Sequence, residues 1–389
     1  MSAEVEPARR VRGARATLDP ATRLIELTDD EAMVADLAHR TLGYFVREVN
    51  RDSGLVRDST NENAPATIAG SGLALTCYVV AAERGWIPRE EAAARALTTL
   101  RFFWTADQSG APDGTGHRGF FYHFLDALRG RRVWKSELST IDSAIVFAGA
   151  LAAAEYFDRE TPAERELREL AVKLYARAEW TWTLRGRGAI THGWTPERGF
   201  LPHDWLGYNE ALLVYVLALG SPTHPIPPAA YDRWLSTYRW KRLYGHEHVY
   251  GGPLFMHQLS HIWIDFRGIR DAFMRDKGID YFENSRRATY VQREYAIRNP
   301  RRFVGYGRTR GGFRRATAPD PRAVWFAACG GASTTTGRGA RRSALMMARS
   351  RRGRWLRRSR SRQRSFFPRS ATALRSFPGS LGNTGTRGA

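Results

Sequence analysis

Through most of the chain the apolar positions fall into two alternating kinds of helical run. One kind is apolar on every side: "ATIAGSGLALTCYVVAAERGW", "ELSTIDSAIVFAGALAAAEYF" past Asp142, and "NEALLVYVLAL". The other carries one apolar stripe, as in "TDDEAMVADLAHRTLGYFVREV", "PREEAAARALTTLRFFW" and "TPAERELRELAVKLYARAEW". A run apolar all round predicts burial on all sides, and a striped run predicts a helix with a solvent face. The ends agree: Thr28 and Asp29 form a cap, and Pro88 stands at a helix start with acids behind it.

"PPAAYDRWLSTYRW", "GGPLFMHQLSHIWIDFRGIRDAFMR" and "YFENSRRATYVQREYAIRN" continue the helical series. The aromatic-rich pieces "GFFYHFL" and "ITHGWTPERGFLPHDWLGY" read as strand-like or looped connections. Buried helices alternating with amphipathic ones predict nested helical hairpins. Their closed form is a toroid with an inner apolar ring and an outer amphipathic one, which periodicity does not separate from an open solenoid. In a toroid the loops at one end of the inner helices line a common cleft.

Composition changes this picture in one place. The formal charge is +21, which taken whole suggests nucleic acid. Residues from Arg308 onward carry +19 of it, with 20 Arg, no Lys and a single acid, Asp320. The body is left near neutrality at +2. Two cysteines, Cys77 and Cys329, make neither a disulfide framework nor a zinc pattern, and Cys77 reads as a buried thiol. The first residues show no apolar core of a signal peptide, and the longest apolar stretch, Ala144 to Ala154, is about half of the roughly 20 residues a membrane span needs. The chain is expected to be cytoplasmic as written, without a membrane partner; a misplaced start codon would hide an export signal.

Three acids stand at or near the starts of strongly apolar helices: Glu137 and Asp142 in "ELSTIDSAIVF", and Glu210 in "GYNEALL". Around them lie Tyr122, His123 and Asp126, then Trp194, then His203, Asp204, Trp205 and Tyr208. Aromatic faces stack on sugar C–H faces, carboxylates and imidazoles bond hydroxyls, and a pair of carboxylates is the minimum for glycoside hydrolysis. The bland alternative is helix-end chemistry: Asn209 as a cap and Glu210 favoured by the helix dipole, which lowers a carboxylate pKa, the wrong direction for an acid. His257, His261 and Asp265 recur at steps of four and would share one helix face. They read as Asp265 orienting His261 by a hydrogen bond, with Arg267, Arg270 and Asp271 in ion pairs, rather than as metal ligands. No metal and no cofactor is expected. "HEH" at His246 to His248 reads as a solvated loop, and "GSG" at Gly70 to Gly72 as close helix packing.

The segments "TLGYF", "SGLVRDS", "ATIAGSGLALT", "GFFYHFLD", "ELSTIDSAI", "GYNEALLVYVLALGSPTHP" and "GPLFMHQLSHIWIDFRGIRDAFMRDKGIDYFENSRRAT" occur in order between Thr41 and Gly307. Together they resemble the glucoamylase-like family, the helical toroid of bacterial endo-β-1,2-glucanases and of a domain of cyclic β-1,2-glucan synthases. The resemblance implies an all-α, (α/α)6 toroid over residues 29–307 with a sugar cleft at one end. It implies Glu210 as the general acid and Glu137 and Asp142 near the scissile bond. It also brings His261, Asp265 and Arg267 into the substrate-binding set. The implied activity is endo-acting hydrolysis of β-glucan, with an oligo- or polysaccharide as partner.

After "NPRRFVGYG" the family's pattern stops. Lys and Glu vanish and Arg, Ser, Gly and Ala dominate, as when a GC-rich gene is read out of frame. A frameshift near Gly307 is therefore expected, after a loose arm at residues 1–28 and a toroid left incomplete at its C-terminal end. Loss of the closing helices would expose apolar inner helices and remove part of the catalytic end. The alternatives are a sugar-binding remnant without turnover and nucleic-acid binding through the basic tail.

Overall fold

The computed structural model describes residues 29–308. The expected arm, the Arg-rich tail beyond Arg308 and the expected change of frame lie outside them.

Seven helices follow the runs read from the sequence: α1 (Asp29–Arg47), α2 (Ile68–Glu83), α3 (Arg89–Thr105), α4 (Thr140–Tyr156), α5 (Pro162–Arg177), α6 (Leu212–Leu219) and α7 (Pro228–Leu235). Their ends have local causes. Ser139 Oγ accepts the Asp142 N–H to cap α4, and Thr161 caps α5 with Pro162 behind it. Helices α2, α4 and α6 are buried nearly all round, whereas α3 and α5 bury one face. The inner α2 packs most extensively on α4; α3 and α5 pack on each other and on these two, and α6 continues the inner layer beside α4. The close α2–α4 approach rests on glycine. A Cβ at Gly149 would lie 2.1 Å from the Gly72 carbonyl oxygen, and one at Gly72 would lie 2.7 Å from that of Ile145. Cys77 is buried on α2. Among the described residues no helix is long and apolar enough to cross a membrane.

The all-α expectation needs correction, because short antiparallel strands fill the connections. They are β1 (Ala66–Thr67), β2 (Gly116–His117), β3 (Phe120–Tyr122), β4 (Phe124–Leu125), β5 (Leu138–Ser139), β6 (Gly193–Thr195), β7 (Gly199–Phe200), β8 (Trp240–Leu243) and β9 (His246–Val249). One sheet runs β2-β3-β5-β6-β7, while β1 pairs with β4 and β8 with β9. The extended segment 120–125 organises the whole end of the molecule. Its first half pairs with β5, which leads straight into α4; its second half pairs with β1, which leads straight into α2. The N-terminal ends of both inner helices therefore lie side by side on one strand segment.

Two further expectations fail in the last third. The run 251–275 is not one helix but α8 (Leu254–Gln258), a 3-10 turn (Ser260–Ile262), an irregular stretch and the start of α9 (Ala272–Asp276). Gly268, at φ +76°, takes a left-handed backbone that no helix continues through, and Asp271 caps a new start by accepting the Met274 N–H at 2.8 Å. The stepwise spacing of His257, His261 and Asp265 consequently defines no helix face. The "HEH" segment is strand β9 rather than a solvated loop, and His248 is buried. Helix α10 (Tyr281–Arg298) completes the series and packs on α8 and β9.

Candidate active site

His123 sits between β3 and β4, where segment 120–125 changes partners. Its N–H donates to the Glu137 carbonyl at 2.8 Å, and its own carbonyl accepts from Ile68 at 3.2 Å. This backbone splice delivers the imidazole between two acids. Nδ1 lies 2.9 Å from Glu137 Oε1, and Nε2 lies 3.5 Å from Asp142 Oδ2. Asp142 is steadied by the Ser139 hydroxyl, which donates to Oδ2 at 2.6 Å while accepting the Asp142 N–H.

The electrostatics follow from this geometry. Burial alone would lower the His123 pKa, but the Asp142 and Glu137 carboxylates, with a smaller contribution from Asp58, push it up to about 9. In return the imidazolium, against the effect of burial, holds Glu137 below the usual carboxylate range. Glu137 is thus ionised at neutral pH, and a carboxylate already ionised has no proton to donate.

Glu210 reaches the same end by a different route. It lies half-buried in the turn just before α6, which starts at Leu212, one residue into the apolar run. Asn209 shapes that turn, its Oδ1 accepting the Ala211 N–H at 3.0 Å. Upstream, the Trp205 indole N–H donates to Thr140 Oγ1 at 2.9 Å, fastening the loop to the first residue of α4. Tyr208 stacks on Tyr281 of α10 at 5.7 Å and leans on His257 at 4.9 Å. The Ser260 hydroxyl reaches the Glu210 carbonyl at 3.5 Å. Trp263 in turn donates to Thr76 of α2 at 2.9 Å, so the loop after α8 closes over the inner helices.

With this geometry in view, comparison with known proteins is informative. The family described as "Putative glucoamylase" matches residues 202–339. A solved structure from Bacteroides uniformis with the same description is 27% identical, with a TM-score of 0.68 over 84% of this chain and 82% of its own. An endo-β-1,2-glucanase from Chitinophaga pinensis, in complex with sophorotriose and glucose, is 27% identical, with a TM-score of 0.62 over 72% of this chain and 70% of its own. The chain is similar to these glucoamylase-like proteins in sequence and in fold. A curated relative, an exo-β-1,2-glucooligosaccharide sophorohydrolase from Parabacteroides distasonis, is 26% identical over 312 residues, 72% of this chain. The chain spans 42% of that relative's length.

On this frame the expected site residues separate into groups. Glu137 and Asp142 both contact His123, and Glu210 is held against the same end of the inner helices through Trp205. Tyr122, Trp205 and Tyr208 are buried. The Tyr122 hydroxyl donates to the Gly110 and Ala111 carbonyls, each at 3.2 Å, and the Arg132 guanidinium lies 4.7 Å from its ring centre. Asp126 accepts the Leu128 and Arg129 N–H groups and fixes a turn. Asp204 pairs with Arg185 at 2.5 Å. Trp194 stacks on His117 at 5.0 Å, and His203 is exposed. Asp265 and Arg267 form a two-pronged pair with both contacts at 2.7 Å. Burial drives His261 down to about 4, although Asp265 and Asp280 oppose it. Among the described residues no three His, Cys, Asp or Glu are grouped to hold a metal ion.

Sequence reasoning missed three members of this neighbourhood. His192 stacks on Trp205 at 3.9 Å, its carbonyl receives the Thr140 N–H at 3.2 Å, and its charge helps to lower the Glu137 pKa. Asp58 acts on His123 from the segment before β1. Arg132 ties the β4–β5 loop to Glu197 with contacts at 2.7 and 3.0 Å. The only signal for the first two was their place in the quoted segments "ITHGWTPERGF" and "SGLVRDS".

Proposed function

We propose that this chain is a glycoside hydrolase acting on β-1,2-linked glucan. The observation that carries the reading is the carboxylate pair Glu137–Asp142 clamped on His123 at the start of α4, at the same end of the inner helices as Glu210. Its relatives include proteins named for hydrolysis of β-1,2-glucans.

In this reading Glu210 gives its proton to the leaving glycosidic oxygen. Glu137 stays ionised because His123 is charged, and with Asp142 it presents negative charge towards the positive charge that develops on the sugar ring. A cation buried between them offsets the repulsion between the two acids. His203, Trp194, His261 and the Asp265–Arg267 pair supply hydroxyl and ring contacts, while Trp205 and Tyr208 position Glu210. The reading extends to endo action, to an (α/α)6 toroid over residues 29–307, and to a foreign reading frame after Gly307.

Product analysis with linear β-1,2-glucan tests it, using the full chain, a version with the frame restored near Gly307, and Glu210→Gln in each. Release of oligosaccharides that stops in the Gln variants supports the assignment. A folded, frame-restored protein that leaves the glucan intact removes the substrate. Resequencing the locus decides the frame directly.

A further inference from the structure

The β4–β5 loop holds a feature that this reading leaves unused. Trp134 is 61% exposed and stands in a left-handed backbone at φ +57°, followed by Lys135 at φ +50°. Two successive residues at positive φ are the business of Asn-Gly turns, and a bulky indole there is strained. Exposing an indole to water is unfavourable as well.

The turn is nonetheless built to be rigid. Ser136 closes it by donating its N–H to the Val133 carbonyl at 3.0 Å. The Ser136 hydroxyl bonds both the N–H and the carbonyl of Phe124, and Arg132 Nε donates to the Ser136 carbonyl at 2.6 Å. Arg132 is itself locked by Glu197. The indole packs against Phe124 at 5.2 Å with a 55° tilt, and Phe124 stacks on His123 at 3.9 Å and 14°. A continuous row therefore runs from solvent to the carboxylate clamp: Trp134, Phe124, His123, then Glu137 and Asp142.

We infer that Trp134 is a sugar-stacking platform that receives a glucosyl ring of the β-1,2-glucan beside the carboxylate clamp. This rests on the proposed substrate. An aromatic face takes the C–H face of a pyranose ring, and an indole already fixed on a braced turn loses little freedom when it does so. The strain at Trp134 is what a binding residue retained against local backbone preference looks like.

Isothermal titration of β-1,2-glucooligosaccharides tests it on the full chain, with Glu210→Gln as parent so that the ligand is not consumed. Trp134→Gly is expected to weaken binding by at least about tenfold, while its Tm stays level or rises, because glycine accepts the left-handed backbone. Trp134→Phe, which keeps an aromatic face, is expected to bind within a few-fold of the parent. A Trp134→Gly protein that binds as tightly as the parent overturns the platform while leaving the substrate in place. A parent that binds no β-1,2-glucan overturns the substrate reading, and the platform with it.

Discussion

Trp205 donates its indole N–H to Thr140 Oγ1 across 2.9 Å, joining the loop that carries Glu210 to the helix that carries Asp142. Thr140 Oγ1 in turn donates to the Thr191 carbonyl at 2.8 Å, so the tryptophan closes a chain of contacts across three connections. In the proposed reaction the distance between acid and clamp depends on this link.

Trp205→Phe keeps the ring and removes the donor. The expected stability cost is about 1 kcal/mol, that of one buried hydrogen bond. The expected loss in kcat is larger, on the order of tenfold or more, because small misplacement of a reacting group is costly. Steady-state kinetics beside a urea titration separates the two. A kcat unchanged from the parent would release Trp205 from any positioning role.

The pH response of His123 has a definite sign. Its folded pKa, about 9, lies above the unfolded value of about 6.5. The stabilisation is complete below about pH 6.5 and is lost as pH rises through about 9. Urea unfolding at pH 6, 7.5 and 9 should show this alkaline loss, and His123→Gln should flatten it. Glu137 has the opposite sign: its lowered pKa stabilises above the ordinary carboxylate range and ceases to do so on acidification.

Acid acts through other residues. Burial holds His257 down to about 3, and His261 lies near 4, so both remain neutral in the fold where the unfolded chain would protonate them. Each adds a stability loss approaching about 1.4 kcal/mol per pH unit as pH falls from about 6.5 towards 4. His261→Gln should make the acid limb of a urea-stability profile shallower; an unchanged limb would show that His261 is hydrated.

Gly149→Ala probes the frame far from the acids. Its new Cβ would meet the Gly72 carbonyl oxygen at 2.1 Å, backbone against backbone, so α2 and α4 must separate. The expected cost is about 1–3 kcal/mol, seen as a lower thermal midpoint. A midpoint equal to the parent's would mean that the two inner helices slide freely.

The helical hairpins through α5 were legible because burial imposes a period on the sequence. The break at residues 251–275 was not, since His257, His261 and Asp265 keep helix-like spacing while Gly268 and Asp271 end one element and begin another. Glu137, Asp142 and Glu210 stood out by standing before apolar runs. What joins them did not, because His123 meets Glu137 through strand pairing, and pairing between short strands leaves almost no periodic trace. His192 and Asp58 looked like ordinary loop polar groups for the same reason. Trp134 was hidden by its turn: Trp-Lys is not a sequence that announces a left-handed backbone.

Because the strands that lead into α2 and α4 both pair with residues 120–125, the seating of the inner helices sets where Glu137 and Asp142 stand, while the loop fastened by Trp205 sets where Glu210 stands. Under the proposed function, loop insertions around this end would change which glycan is admitted, and helix repacking would change how fast it is cut. Selectivity and speed would then be inherited through separate parts of the chain, free to drift independently among its relatives.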